Sequence, residues 1–445
     1  MISAICFFDT FFRRHKLLYL SFSTTLFFSL FCVSSCHSST SSASKNGLKD
    51  TLIMLPAASS LSAADSARYN HASEIWYDSI LKRSGFNGGM LVAKNGHIIF
   101  ERYAGTTHLN GTDSITAETP MHIASVSKTF TSMCILKLCQ DKKLGLDDEY
   151  SKYFPQFNYP GVTIRTLLDH RSGLPNYLYF MDELGWNKKA FMKNQDVFDY
   201  LVNKKSELKN ITKPNTHFTY CNTNFALLAL LAEKVSGISF PQLMKQTFFD
   251  PLQMKHTYIF VHSDSATATP SYDWRGKQIG MDALDDVYGD KNVYTTPEDL
   301  LTWDKALKTN LIFTKETLEQ AYTGYSNEKK GIKNYGLGWR MNNYPNGKKL
   351  IYHNGWWHGS NAAFVRLLDE DATIIIIGNK YNRNIYKAKD LSNIFSNYFE
   401  TDSEEDIESS KDTESKVATP IIKKPMLKHP PSKKGKIKAR SKKSH

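Results

Sequence analysis

Cysteine is scarce, with six in 445 residues and no spacing that would hold a metal. Cys6 and Cys32 fall in or beside an apolar N-terminal stretch, and Cys36 follows it. Cys134 and Cys139 lie five apart on one helix-patterned segment, about 140° apart around its axis, which is poor disulfide geometry. A disulfide framework is therefore excluded, and Cys134, Cys139 and Cys221 read as small buried hydrophobes. Internal repeats are also missing, which excludes solenoids and propellers. Acidic residues are outnumbered, 44 against 56 Lys and Arg, for a net charge of +12. That excess is unevenly placed. Residues 421–445 hold ten Lys or Arg and no acid, residues 401–420 hold seven acids and two Lys, and 36–400 carry only +5. A nearly balanced body is a poor groove for a polyanion, so nucleic-acid binding is not expected. What remains is a globular composition, 41% hydrophobic and 22% charged, enough for one large domain or two ordinary ones.

The N-terminus carries a positive cluster, Arg13-Arg14-His15-Lys16, followed by an apolar run from Leu17 to Val33. Seventeen residues is long for a signal core and short for a comfortable membrane span. Val33-Ser34-Ser35-Cys36 then leads into a Ser/Thr-rich stretch. This resembles the bacterial lipobox, which implies cleavage after residue 35 and lipidation of Cys36. An uncleaved signal anchor is the other reading, and either one places the domain outside the cytoplasm. Residues 36–64 are Ser/Ala-rich without periodicity and read as a tether. Residues 401–445 form a charge-blocked, Pro-containing tail with too little apolar surface to fold. Its basic end is a candidate contact for anionic envelope polymers or lipid.

Within 65–400, strand signals sit at the two ends. Gly89–Lys94 and His97–Tyr103 flank Asn95-Gly96, a strong hairpin signal. Lys349–His353, Ala362–Leu368 and Ala372–Ile377 follow late, the last two joined through Asp369-Glu370-Asp371. A helix is expected over 125–140, an amphipathic one over 384–399, and mostly helices and loops over 147–286. The fold class is therefore α+β. An antiparallel sheet built from 65–146 and 287–400 is flanked by helices, and 147–286 is an inserted, mostly helical subdomain. A site is expected between the two.

Ser125-Val126-Ser127-Lys128 sets a hydroxyl one helical turn from an amine on one face. A serine hydroxyl becomes a nucleophile when a neighbouring base takes its proton, and a desolvated lysine can do so. At a helix start, main-chain N–H groups can also stabilise an oxyanion. The pattern alone is weak, since Ser-x-x-Lys begins also at Ser42, Ser79, Ser206 and Ser326. Two further elements distinguish Ser125. Tyr220-Cys221-Asn222 precedes an apolar run; a Tyr hydroxyl can shuttle a proton and the Asn can hold a substrate amide. His353-Asn354-Gly355 ends a predicted strand, and its glycine lets the backbone approach a ligand closely.

Ser-x-x-Lys, Tyr-x-Asn and a basic residue-x-Gly in that order resemble the penicillin-recognising serine hydrolases. More narrowly the chain is similar to the class C β-lactamase and D-Ala-D-Ala carboxypeptidase family, which also contains esterases and D-amino-acid peptidases. Phe86–Gly96, Ile164–Pro175, Gly289–Leu300 and Tyr335-Gly-Leu-Gly-Trp339 carry the same likeness over about 75–400. The resemblance implies a β-lactamase/transpeptidase-like fold with Ser125 acylated, Lys128 as partner base and Tyr220 as proton shuttle. Asn222 would bind the substrate's amide side, and His353 and Gly355 would line the opposite wall. The N–H groups of Ser125 and Trp356 would form the oxyanion hole. From their place beside His353, Trp356 and Trp357 read as an aromatic wall for the substrate or as core packing, the wall favoured for Trp356 over Trp357. His170 reads as scaffold. No metal or organic cofactor is implied. The expected substrates are a small peptide, an ester or a β-lactam, and the expected location is the bacterial cell envelope through a lipid anchor.

One departure bears on the activity. Lactamases of this family usually carry Lys-Thr-Gly on the third-motif strand, and that tripeptide occurs nowhere here. A histidine is mostly neutral at pH 7 unless a neighbour raises its pKa. A carboxypeptidase-type peptidase or esterase is therefore expected over an efficient β-lactamase, with substrate affinity falling as His353 deprotonates if it meets a carboxylate. The competing class is a non-catalytic module binding cell-wall peptides, which loss of a motif residue would signal. None is lost.

Overall fold

A computed structural model describes residues 52–398. The expected signal peptide, lipidated Cys36 and charged 401–445 tail lie outside them. Twelve strands occur among the described residues. The first two are β1 (Gly88–Lys94) and β2 (His97–Ala104). Short strands follow: β3 (Met121–His122), β4 (Tyr258–Ile259), β5 (Ser271–Tyr272), β6 (Gln278–Ile279) and β7 (Val293–Thr295). The last five are β8 (Lys333–Tyr335), β9 (Arg340–Asn343), β10 (Lys349–Trp357), β11 (Ser360–Leu367) and β12 (Ala372–Gly378). Seven form one antiparallel sheet in the order β2-β1-β12-β11-β10-β9-β8. The β1–β2 turn is Asn95-Gly96, both residues with positive φ (53° and 79°), as a two-residue hairpin turn requires.

The sheet divides the core by strand alternation. Leu91, Ile375, Ile377, Phe364 and Ile351 face one apolar cluster, and Met90, Val92, Ile374, Ile376 and Val365 face the other. Both faces of β12 are buried, which its unbroken Ile374–Ile377 run reflects. Helix α1 (Ala63–Trp76) contributes Tyr69 to the second cluster. So does a run of 3₁₀ turns at Arg383–Ile394. An amphipathic helix was expected there. Ile385, Ala388 and Leu391 are buried at intervals of three, which is the period of 3₁₀ turns, not of an α-helix.

The first cluster is covered by α2 (Ser127–Gln140) and by α3 (Ile164–Leu168), α4 (Tyr177–Glu183), α5 (Asn194–Asn203), α6 (Asn222–Ser236) and α7 (Phe240–Met244). Two later helices, α8 (Pro297–Ala306) and α9 (Lys315–Ala321), pack there as well. Helix α6 is buried continuously from Asn222 to Ala232 and apolar on every side from Phe225 to Ala232, so it is a core helix. A small sheet, β3-β7-β4, joins the segment before α2 to residues 290–295.

The tether assigned to 36–64 is packed over its last part. Ile53 donates its N–H to Pro251 O at 2.8 Å and Ser59 to Asn95 O at 3.0 Å, while Ile53 and Leu55 pack against the first cluster. Leu52-Ile53-Met54-Leu55 gives this stretch apolar side chains that a free tether lacks. No helix among the described residues is long and apolar enough to cross a membrane.

Candidate active site

Ser125 sits in one 3₁₀ turn, Ala124–Val126, that leads into α2. Ala124 has φ 47°, a left-handed conformation uncommon outside glycine, and so turns the chain sharply between β3 and the serine. One turn on, Lys128 is fully buried, and its Nζ reaches back to Ser125 Oγ at 3.1 Å. The same Nζ meets Asn222 Oδ1 at 2.7 Å and the main-chain oxygen of Asp290 at 2.8 Å. Asn222 Oδ1 and the Asp290 carbonyl accept from the amine, and its third contact, the Ser125 hydroxyl, can donate to it. Gly338 lets this helix approach: a Cβ there would lie 2.4 Å from Ser132 Cβ.

Tyr220 lies in the extended segment before α6, its ring centre 4.9 Å from Lys128 Nζ and 4.9 Å from the Arg340 guanidinium. His170 holds this segment. It accepts the Cys221 N–H on Nδ1 at 3.1 Å, its carbonyl accepts the Thr219 N–H at 2.9 Å, and its ring lies 4.4 Å from that of Tyr220. Burial, with Lys128 and Arg340 nearby, pushes its pKa well down, so the ring stays neutral and can accept. Cys221 turns its sulfur toward Leu174 O and Pro175 O, and burial pushes its thiol up to about 11.

Strand β10 closes the other side. Gly355 is where it touches the nucleophile turn: a Cβ would fall 2.1 Å from Ile123 O and 3.1 Å from Ser125 N. The strand can come this close because the residue has no side chain. His353 differs from the expectation of a cleft wall. It is fully buried, with Nδ1 against Asn354 O at 2.7 Å and Nε2 against Tyr335 OH at 3.3 Å. Burial, with Arg340 and Lys128 nearby, pushes its pKa well below 6.5. The ring is a neutral support behind Tyr220, with no face open to a carboxylate. Trp356 also differs, because successive side chains on a strand point to opposite faces. Its indole packs on Tyr381 and donates to His358 O, whereas Trp357 shares the face of His353 and Gly355 and packs against the first apolar cluster. The aromatic side chain on that face is Trp357. Only the Trp356 main chain lies next to Gly355.

Four charged side chains around the site were not assigned from the sequence. Arg340 opens β9, next to the recognised Tyr335–Trp339 stretch, and is only partly buried. Asp290 and Lys291 sit inside the recognised Gly289–Leu300 stretch, and both are about 2% exposed. Asp290 Oδ2 accepts from Tyr177 OH at 3.0 Å, Lys291 Nζ donates to the same phenol, and the two charges are 3.5 Å apart. Lys291 Nζ lies 4.7 Å from the Trp357 ring centre. Asp285 completes that wall, accepting from Trp357 Nε1 at 2.6 Å and bonding His358 Nε2 at 3.0 Å. Burial would lower the His358 pKa, but the Asp285 carboxylate holds it above 6.5. Asp282, Asp285 and His358 bring ligand-type atoms within 4.8 Å of one another. Lys291 and His358 already supply cations to that cluster, and Asp285 is occupied by hydrogen bonds. A buried, hydroxyl-bonded amine beside main-chain N–H groups is equipped for acyl transfer at Ser125.

The beta-lactamase family model matches residues 78–397. Penicillin-binding protein 4* of Bacillus subtilis is 29% identical over 338 residues, covering 70% of this chain and 73% of that protein. Protein flp of Staphylococcus aureus is 26% identical over 325 residues, and the match spans 68% of this chain but 59% of flp. Among solved structures, a penicillin-binding protein from Bacillus halodurans superposes with a TM-score of 0.63 at 22% identity, covering 71% of this chain and 98% of that one. An octameric penicillin-binding protein homologue from Pyrococcus abyssi gives a TM-score of 0.62 at 22% identity, covering 72% and 75%. The two superpositions share the fold, and the family match takes in every residue of the Ser125 site: the chain belongs to the beta-lactamase family, whose members are in general serine hydrolases.

Proposed function

We propose that the protein acts through a Ser125 acyl-enzyme on small amides or esters, as a carboxypeptidase-type peptidase or esterase and not as an efficient β-lactamase. The observation that carries the reading is the fully buried Lys128 amine 3.1 Å from Ser125 Oγ. Lys128 takes the hydroxyl proton as Oγ bonds to the substrate carbonyl carbon. The N–H groups of Ser125 and Trp356 receive the oxyanion. Collapse of the tetrahedral species expels the amine or alcohol, protonated through Tyr220, and water then releases the acid by the reverse route. Lys128 holds Asn222 by its oxygen, which leaves the amide NH₂ to donate to a substrate carbonyl.

The choice among branches rests on where the cations are. The third-motif position offers no charge, since His353 is buried and neutral. Arg340, over the Tyr220 ring, is a permanent cation on the adjacent strand, suited to a peptide's terminal carboxylate. The test is intact mass spectrometry after incubation with a penicillin, a short p-nitrophenyl ester and a D-Ala-D-Ala peptide, each beside Ser125→Ala. A Ser125-dependent adduct or turnover supports the acyl-enzyme. Persistent penicillin labelling points to a cell-wall peptidase, and ester turnover alone to an esterase. Peptide binding without adduct or turnover favours a binding module. The Arg13–Cys36 sequence supports export and a lipid anchor in the envelope. Palmitate labelling that survives Cys36→Ala would overturn the anchor.

A further inference from the structure

We propose that Lys291 is a positioning residue of this site, a second buried cation that holds the Trp357 wall and keeps the Lys128 amine in its base form. The inference rests on Lys128 acting as the base of Ser125. Asp290 links the two lysines through opposite ends: its main-chain oxygen takes Lys128 Nζ at 2.8 Å, and its carboxylate lies 3.5 Å from Lys291 Nζ. Asp290 Oδ1 is buried without a hydrogen-bond partner, so the Lys291 charge is its main compensation on that side. Tyr177 OH bridges the carboxylate and the second ammonium. Beyond, Lys291 lies against the face of Trp357, whose indole is tied to Asp285. The chain is continuous from wall to base.

The charges facing Lys128 have definite signs. His170 on the α3 side and His353 on β10 are neutral, because burial pushes both well below 6.5. Cys221 is a neutral thiol, pushed up to about 11. Tyr220 presents its ring. Formal charge comes from Arg340 across that ring, from Asp290, and from Lys291. Lys128 and Lys291 repel one another, which adds to the burial that lowers Lys291. Coulomb repulsion is reciprocal, so Lys291 equally favours loss of the proton from Lys128. Removing the positive neighbour must make Lys128 hold its proton to higher pH, and removing the Asp290 carboxylate must do the reverse.

The experiment is the pH profile of kcat/KM for a short p-nitrophenyl ester with Lys291→Met, Lys291→Arg and Asp290→Asn in the full chain. The acid limb of Lys291→Met should move upward by about half a pH unit or more, and Lys291→Arg should return it close to wild type. Asp290→Asn should move it downward. A purely structural role would lower activity at every pH and leave the limb in place, so a folded Lys291→Met with an unmoved limb overturns the proposal. Should Lys291→Met not fold, an upward or absent shift in Asp290→Asn overturns it instead. Lys128→Met in parallel separates the two ideas: if it keeps wild-type turnover, the base assignment fails, whatever Lys291 does.

Discussion

Alanine at position 355 puts the geometry of the proposed oxyanion hole to a direct test. The added Cβ would stand 2.1 Å from the Ile123 oxygen and 3.1 Å from the Ser125 nitrogen. A comfortable carbon–oxygen contact needs roughly 3.3 Å, so about 1.2 Å must be found. The position has no positive φ, so the clash is one of contact and not of backbone strain. Neither wall is a flexible side-chain end. Ile123 is anchored to β7 through its N–H to Val293 O at 3.0 Å, and β10 is held at Gly355 by its pairing with β11, while β9 pairs with it only over Lys349–Tyr352. Relief must therefore separate the strand from the nucleophile turn, moving the Trp356 N–H away from the Ser125 N–H. Losing one such donor costs roughly 10²- to 10³-fold in kcat, and a displacement of about 1 Å is of the same order. Overpacking should cost a further 1 to 3 kcal/mol or so in stability. The assay is ester turnover and the rate of Ser125 adduct formation, with urea unfolding as the control for folding. KM should change little relative to kcat. A Gly355→Ala protein that turns over within threefold of wild type would show that β10 does not supply an oxyanion donor.

Three further outcomes are expected. Trp357→Ala should raise KM several-fold with a smaller effect on stability, whereas Trp356→Ala should do the opposite; equal KM values for the two would contradict the strand alternation. Arg366 and Asp304 are both fully buried and 2.6 Å apart, and Lys308 holds the same carboxylate at 2.7 Å, so Arg366→Met should destabilise by about 1 to 3 kcal/mol in urea. A single-variant loss under about 1 kcal/mol would sink that account. Finally, KM should be flat through pH 5.5–8.5 as far as His353 is concerned, since its folded pKa lies well below its unfolded one. The unfolded chain therefore binds the extra proton first, so stability falls as pH drops below about 6.5, by up to roughly 1.4 kcal/mol per unit for this residue. His353→Phe should flatten that slope if it folds; an unchanged slope refutes the assignment.

The sheet could be read from the sequence wherever its strands announce themselves locally. Asn95-Gly96 and the Asp369–Asp371 turn mark hairpins by their own chemistry, and Ile374–Ile377 marks a strand buried on both faces. The 3₁₀ character of 383–394 was hidden because one apolar face at spacing three looks much like one at 3.6 over three turns. In the site, Ser125, Lys128, Tyr220 and Asn222 carry motifs. Tyr177 and Arg340 carry none, and Lys291 sits in a family-like stretch that gives it no role by itself; Arg340 reaches the site through the β9–β10 register and Tyr177 through α4. Trp357 is a different case. With Gly355 placed toward the nucleophile, period-two alternation already assigns position 357 to the same face and 356 to the other.

Charge placement is what separates this site from one built on Lys-Thr-Gly. A lysine on the third-motif strand would offer its ammonium to the substrate directly. Here that position is a histidine whose two ring nitrogens are engaged, inside a shell that keeps it neutral. The cations have moved to neighbouring elements, Arg340 on β9 and Lys291 beside β7, and they differ in what they can reach. Lys291 is buried among Asp290, Tyr177 and Trp357, so its field acts on the protein's own amine and not on a ligand. Arg340 is partly open over the Tyr220 ring, where a planar guanidinium can meet a carboxylate with two parallel hydrogen bonds. A substrate whose carboxylate hangs on a flexible peptide end can reach it. A fused bicyclic lactam holds its carboxylate rigidly beside the scissile bond, so under the proposed peptidase or esterase reading it is expected to be the poorer substrate.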